Sequence, residues 1–468
     1  MAHHQSNASS SPKTALLAVS DTSGTTPFLH HVKRPVLQKT GSEKWQKKTL
    51  QVIDYVCENR VKNDALGNNT KYKHRIAQKS GTSVVKVDSE TGEILFDDPM
   101  LLRVKRFAIQ SVVRKLLPKS RTASCLRKRI SAQKDVEVWR SVHKTTHYQN
   151  LITCSSLWTC PVCASKIAER RKLEVIDAMT QHLEVNGGSV DMLTLTCPHQ
   201  RQDDLTVLLA KQAKALNNFW KDRQVQKIFA EMGIIGQIRA TEVTHGRKSH
   251  VNNGWHPHYH IILFGYGTGQ NVAVAKRMVW QNALYERWAN ACSLAGLGKP
   301  SREHGLRLDG GAHAARYIVK WGDEVTKGHS KTATAGETPW DFLRSILEDE
   351  TDVQAAVLFR EFATAFKGKR QLHWSKGLKA MFGIGEKSDE ALAEESDEVA
   401  QLLGLINIDQ WRDVLVSEGR GAVLQIAASS SGWDAVCVYL ESIRGAYSEA
   451  FAKKLAEKAC HKGRFTSH

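Results

Sequence analysis

Apolar and polar positions repeat with different periods along the chain, and each period predicts an element. The run DMLTLT, from Asp191 to Thr196, is apolar and β-branched and predicts a buried strand. Asp203 to Phe229 then carries Leu205, Leu208, Leu209, Leu216 and Phe219 at helical spacing. Ile234 to Val243 predicts a second strand, the Gly- and Asn-containing HGRKSHVNNG a hairpin loop, and HYHIILF a third strand. Helical spacing returns over Val272 to Leu294, Ala312 to Trp321 and Trp340 to Phe366, with a loop over Lys331 to Pro339. Antiparallel strands with helices inserted between them make an α+β domain.

Outside this block the pattern changes. Residues 1 to 47 are rich in Ser, Thr, His and Lys and have little apolar periodicity, which predicts a mobile tail. Trp45 to Val56 predicts one short helix and the rest up to residue 100 no definite element, so 1–100 is expected to be a mostly disordered extension. Glu386 to Glu398 holds seven acids and one lysine, the composition of a solvated linker. Leu402 to Ala459 predicts a small helical module with Trp411 and Trp433 in its core. The expected division is 1–100, a basic cysteine-bearing region over 101–185, the α+β domain over 186–385, and linker plus helical module over 386–468.

Charge narrows the partners. A formal net charge of +18 over 468 residues attracts polyanions, nucleic acid ahead of an anionic membrane surface. Arg103 to Lys134 contains eleven basic residues and no acid, interleaved with Phe107, Ile109, Val112 and Leu116. That is a basic amphipathic face, against the plainer reading of a solvated helix with snorkelling lysines. The helix predicted over Ala164 to His182 adds KIAERRKLE. Candidate DNA contacts are Arg103, Lys105, Arg106, Arg127, Lys128, Arg129, Arg170 and Arg171, with a zinc-stapled lobe that touches no DNA as the alternative. No run approaches the ~18 apolar residues of a membrane span, and a cytoplasmic location without membrane partners is expected.

Nine cysteines, several closely spaced, point to metal ligation or free thiols rather than a disulfide framework. In TCSSLWTCPVC, Cys160 and Cys163 at i and i+3 form a knuckle suited to tetrahedral Zn²⁺, with Cys154 beside it. A redox CxxC is the alternative, but no thioredoxin-like pattern surrounds it.

The sharpest chemical signal is His256, His258 and His260 in GWHPHYHIILF. Period-2 alternation puts all three imidazoles on one face and Tyr259, Ile261 and Leu263 on the other. Pro257 lacks an N–H, so the strand is expected to start at its first ligand or to lie at an edge. A hairpin would bring Glu242 beside the histidines as a further ligand, unless it is an exposed residue paired with Arg239. A carboxylate with imidazoles leaves open positions for phosphate oxygens and suits Mg²⁺ or Mn²⁺, with zinc as the alternative. In AHAARYIVKW, Tyr317 and Lys320 share a helix face with His313 one turn earlier. A phenol has a pKa of about 10, and a nearby cation favours the phenolate that can attack phosphorus.

LTLTCPH (193–199), EVTHG with GWHPHYHIILF (242–264) and RYIVKW (316–321), in that order, resemble the His-hydrophobe-His replication initiators of rolling-circle plasmids. KGKRQLHWSKGL (367–378) resembles a block of their bacterial branch, so the likeness spans roughly residues 120 to 385. It implies an antiparallel-sheet nicking domain in which Glu242, His258 and His260 hold the metal. By the same likeness Tyr317, supported by Lys320, is expected to become joined to the 5′ phosphate at a nick in the plasmid origin, leaving a free 3′ hydroxyl as primer. His313 stands where some members carry a carboxylate, and is expected to act as general base in strand closure or to contact phosphate. The likeness also favours Cys125 as fourth zinc ligand over His143 and His147. The implied partners are origin DNA, duplex and single-stranded, with a host helicase and polymerase, because the chain has no GxxxxGK[ST] loop for a motor of its own. The competing readings are a relaxase or transposase of the same chemistry, disfavoured because Tyr317 follows the histidines, and a zinc-containing DNA-binding repressor.

Overall fold

A computed structural model describes residues 86–87, 94–95, 99–141, 145–267, 274–311, 336–394, 400–429 and 432–463. The expected N-terminal extension lies outside them, apart from one antiparallel pair, β1 (Lys86–Val87) with β2 (Ile94–Leu95), and the first two residues of the helix Pro99–Leu116. The other described strands are β3 (Val136–Ser141), β4 (Thr146–Gln149), β5 (Ser189–Thr196), β6 (Ile234–His245), β7 (Trp255–Gly265), β8 (Leu306–Gly310), β9 (Leu372–Trp374) and β10 (Ala400–Ile406).

Five of them form one antiparallel sheet in the order β8-β5-β7-β6-β9. Together with the helices between them they make the α+β architecture that the periodicity predicts. Alternation along β7 sends Tyr259, Ile261 and Leu263 to one face, where they join Leu193 and Leu195 under the helices Leu205–Lys221, Val274–Leu294, Pro339–Glu348 and Val353–Ala365. Ile262 and Phe264 point to the other face, with Val190, Met192 and Ile238, against Val175, Ala178 and Met179 of the helix Pro161–Thr180. Farther along that second face the apolar residues give way to His260, His258 and Glu242.

A second sheet, β10-β3-β4, carries its own core of Val136, Val138, Tyr148, Ile406, Trp411 and Val423. The C-terminal segment is therefore not helical throughout: before its four helices it contributes β10, paired with β3 from Ala400↔Ser141 to Ile406↔Val136. The acidic stretch expected as a solvated linker contains the helix Asp389–Glu394, because Leu392 and Ala393 bury one side of it beside the cysteines.

Two predicted helices are interrupted by aspartates. Asp222 ends one helix and caps the next, its Oδ1 accepting from Gln224 N at 2.8 Å and Val225 N at 3.3 Å. In the other, Asp349 ends the helix Pro339–Glu348 and Asp352 caps Val353–Ala365, accepting from Ala355 N. The strand with the histidines also departs from expectation, since it begins at Trp255 and lies in the middle of the sheet. β5 reaches only as far as His258, so Pro257 has no strand on that side, and its carbonyl accepts from Gln212 Nε2 at 3.0 Å.

The β6–β7 loop is held by a buried ion cluster. Arg247 donates to Glu337 at 2.6 and 3.0 Å and to Asp352 at 2.8 Å, with its guanidinium over the Phe342 ring. Gly254 closes the loop at φ +74°, where a Cβ would lie 2.8 Å from the Arg201 Cα. Arg247→Met leaves Asp352 without its cation and Glu337 with only the exposed Lys248 at 3.3 Å, and is expected to destabilise the fold by about 3 kcal/mol at neutral pH. The hydrogen bond from Arg247 holds the Asp352 carboxyl below its ordinary range. A depressed carboxylate stabilises above its unfolded value of about 3.9 and loses that contribution as pH falls below it. Urea unfolding should thus separate wild type from variant at pH 7 and bring them closer at pH 3; an equal gap at both would remove Asp352 from the account.

Candidate metal centres

Hairpin register builds the first centre. Glu242 of β6 stands opposite His258 of β7, and His260 is paired with Ala240 on one side and Thr194 on the other. Glu242 Oε2 lies 3.2 Å from His258 Nε2 and 3.4 Å from His260 Nε2. Ligand atoms about 2.1 Å from one ion lie about 3.0–3.4 Å apart for octahedral to tetrahedral angles, so the three donors fit a single cation. Each imidazole is also fixed from behind. His260 Nδ1 is 3.2 Å from Thr194 Oγ1 and His258 Nδ1 is 3.4 Å from the His256 carbonyl, so a proton on Nδ1 leaves each Nε2 lone pair to a metal. Burial alone would raise the Glu242 pKa, but His260 and His258 pull it well below the usual carboxylate range.

His256 lies on the same face but is not drawn into this cluster. Its Nδ1 is 2.5 Å from His199 Nε2, and burial, with His258 and His199 nearby, pushes its pKa down to about 3. His199, its pKa itself lowered by burial, donates through Nδ1 to the Asn253 carbonyl at 3.1 Å. Thr194 and His199 had no assigned part in the sequence reading. Their signal was present in the alternation of LTLT and in the histidine that ends LTLTCPH. Tyr317, Lys320 and His313 fall outside the described residues.

The second centre is sulfur. Cys125 follows a short 3-10 turn, Cys154 sits in the loop after β4, Cys160 caps the helix Pro161–Thr180 and Cys163 lies in its first turn. All four are buried. Their Sγ atoms are 3.6 Å (125 to 163), 3.7 Å (154 to 163) and 3.8 Å (160 to 125) apart. Four thiolates at about 2.3 Å around tetrahedral zinc are about 3.8 Å apart. Gln110 Nε2 donates to Cys160 at 3.1 Å and Ser156 N to Cys154 at 3.4 Å, as thiolates require. The cluster can hold a metal such as zinc, and it includes Cys125 rather than His147; His143 lies outside the described residues.

Most of the arginines named as DNA contacts are engaged inside the protein. Arg103 donates to Thr146 Oγ1 and the Leu424 carbonyl, Arg127 to Glu418 at 2.6 Å, and Arg129 to the Lys134 carbonyl. Arg170 donates to the Leu392 carbonyl, and Arg171 pairs with Glu174 and Asp389. Burial pushes Arg106 down to about 10. Lys128 is exposed and Lys105 half-exposed, as the amphipathic reading requires. No helix of the described residues is long and apolar enough to cross a membrane.

Comparison with known proteins places the chain. It is 27% identical over 365 residues to Protein rep of Streptomyces lividans, covering 63% of this chain and 75% of that one. It is 30% identical over 152 residues to the neomycin resistance protein of Streptomyces cyanogenus, covering 27% of this chain and 34% of that one. No solved structure matches. A family model described as replication protein matches residues 145–403, a span that includes both centres except Cys125 and more than half of the chain, so this chain belongs to the replication protein family.

Proposed function

We propose that the chain initiates rolling-circle replication of a plasmid by nicking one strand of its origin through tyrosine attack. The observation that carries this reading is the Glu242, His258 and His260 cluster at the open end of a sheet face, in a member of a replication protein family. Mg²⁺ or Mn²⁺ held there would polarise the scissile phosphodiester. Glu242 supplies the negative charge that binds the cation, and Thr194 keeps His260 oriented. Tyr317 attacks phosphorus, Lys320 stabilises charge on the phosphoryl oxygens, and a phosphotyrosine linkage and a free 3′ hydroxyl result. His313 takes a proton when the displaced strand is closed. A host helicase unwinds the duplex and a host polymerase extends the primer.

With most of the basic-region arginines committed internally, the exposed Arg114, Lys119, Arg121 and Lys128 are the side chains offered to duplex phosphates. The cysteine centre holds zinc and supports that surface.

The test incubates the protein with single-stranded origin DNA and Mn²⁺ and resolves the products on a denaturing gel. A covalent protein–DNA adduct is expected, absent without the metal. DNA binding with no cleavage would favour a repressor, and cleavage with no adduct a hydrolytic nuclease. A His313→Ala chain that still nicks and closes normally would take that residue out of the scheme.

A further inference from the structure

The block KGKRQLHWSKGL has no part in the metal chemistry, yet it runs beside it. β9 pairs Leu372 with Ala240, and the Gln371 carbonyl accepts from Thr241 N at 3.4 Å, one residue from Glu242. Between β9 and the cysteine-bearing region lies a cavity of about 430 Å³, within the about 300–1,000 Å³ usual for small ligands. Three lining residues hold a buried polar atom without a hydrogen-bond partner: Ser155 Oγ, Gln371 Oε1 and Trp374 Nε1. Orphaned buried polar atoms are rare and costly, so three around one cavity mark a place that a hydrogen-bonding ligand completes.

The walls specify its chemistry. Trp374 is half-buried, with Lys379 Nζ 5.3 Å from its ring centroid. Lys379 is already neutralised by Glu174 and Glu386, and Arg171 by Glu174 and Asp389. Arg370 lines the same cavity and is exposed. Lys387 is a second exposed cation on the wall, and Glu386, Asp389 and Glu390 add carboxylates, of which Glu386 and Asp389 meet Lys379 and Arg171. A flat ring, an amide, a hydroxyl and the exposed Arg370 guanidinium match a single nucleotide: base on Trp374, base edge on Gln371 and Ser155, phosphate on Arg370.

We propose that this cavity takes one unpaired nucleotide of the strand bound across the Glu242, His258 and His260 site, and reads its base. The identity of the strand rests on the nicking function; the pocket itself is tested without it. Single strands tiling the origin, with 5-iodouracil at successive positions, are irradiated with the full chain in the absence of added divalent metal. One or two adjacent positions should crosslink to the peptide containing Gln371 and Trp374. W374L should lower single-strand affinity in fluorescence anisotropy about five- to a hundredfold, the range for one base on an aromatic ring. R370A, at an exposed position that leaves the fold intact, should reduce the salt slope by about 0.7, one phosphate on a single strand. Crosslinks elsewhere, with both variants binding single strands as wild type, overturn the pocket. Crosslinking at Trp374 in a chain that forms no adduct with Mn²⁺ keeps the pocket and removes the nicking function. An adduct with crosslinks elsewhere does the reverse.

Discussion

Glu242→Gln is expected to cut adduct formation by at least about a hundredfold, since residues that merely orient metal ligands already cost 10–100-fold when removed and Glu242 is placed as a ligand itself. Glutamine keeps the size and the neutral hydrogen bonding but removes the negative charge that the two imidazoles surround at 3.2 and 3.4 Å. Because the lost quantity is metal affinity, raising Mn²⁺ should recover part of the activity by mass action. Tyr317→Phe removes the attacking oxygen and should abolish the adduct at every metal concentration. A Glu242→Gln chain with wild-type adduct yield at low Mn²⁺ would show that the cluster holds no catalytic ion. A Tyr317→Phe chain that still forms the adduct would place the nucleophile elsewhere.

Stripping the metal from the four-cysteine centre, or Cys160→Ser, is expected to unfold the cysteine-bearing region together with the C-terminal segment. Structural zinc in small domains is worth about 10–16 kcal/mol in apparent binding energy, as much as the about 5–15 kcal/mol that holds a whole domain folded. The loss spreads because the two parts share a core. Arg420 is fully buried, donates to Gln110 at 2.6 Å and reaches the Cys125 and Leu126 carbonyls, while Leu392 and Ala393 pack among the cysteines. Metal analysis should find one zinc per chain, and its removal should erase the near-UV circular dichroism of Trp411 and expose 400–463 to protease. A metal-free chain with unchanged spectrum and melting temperature would reduce the cysteines to ordinary packing.

Much of the sheet was legible because a strand's two faces are written in neighbouring residues. HYHIILF alternates, so the positions of His258 and His260 on one face and Tyr259, Ile261 and Leu263 on the other follow from local geometry alone. The helix breaks at Asp222 and Asp352 were less visible, since an aspartate caps a helix or sits within one depending on the turn that tertiary packing imposes. The charged stretch from Arg103 to Lys134 shows the limit of composition. It announces a basic surface, yet Arg127 meets Glu418, 291 residues away, and becomes a strut.

The sequence by itself determined the α+β class, the histidine face and the cysteine knuckle, features encoded by residues within a few positions of one another, and it carries the blocks of the family in their linear order, which needs no folding to be read. Tertiary structure decided that Glu242 sits opposite His258, that His256 turns to His199, that Cys125 completes the sulfur cluster and that β10 closes on β3. Those outcomes depend on which distant segments share a core. Local periodicity carries no record of partners that only chain folding brings together.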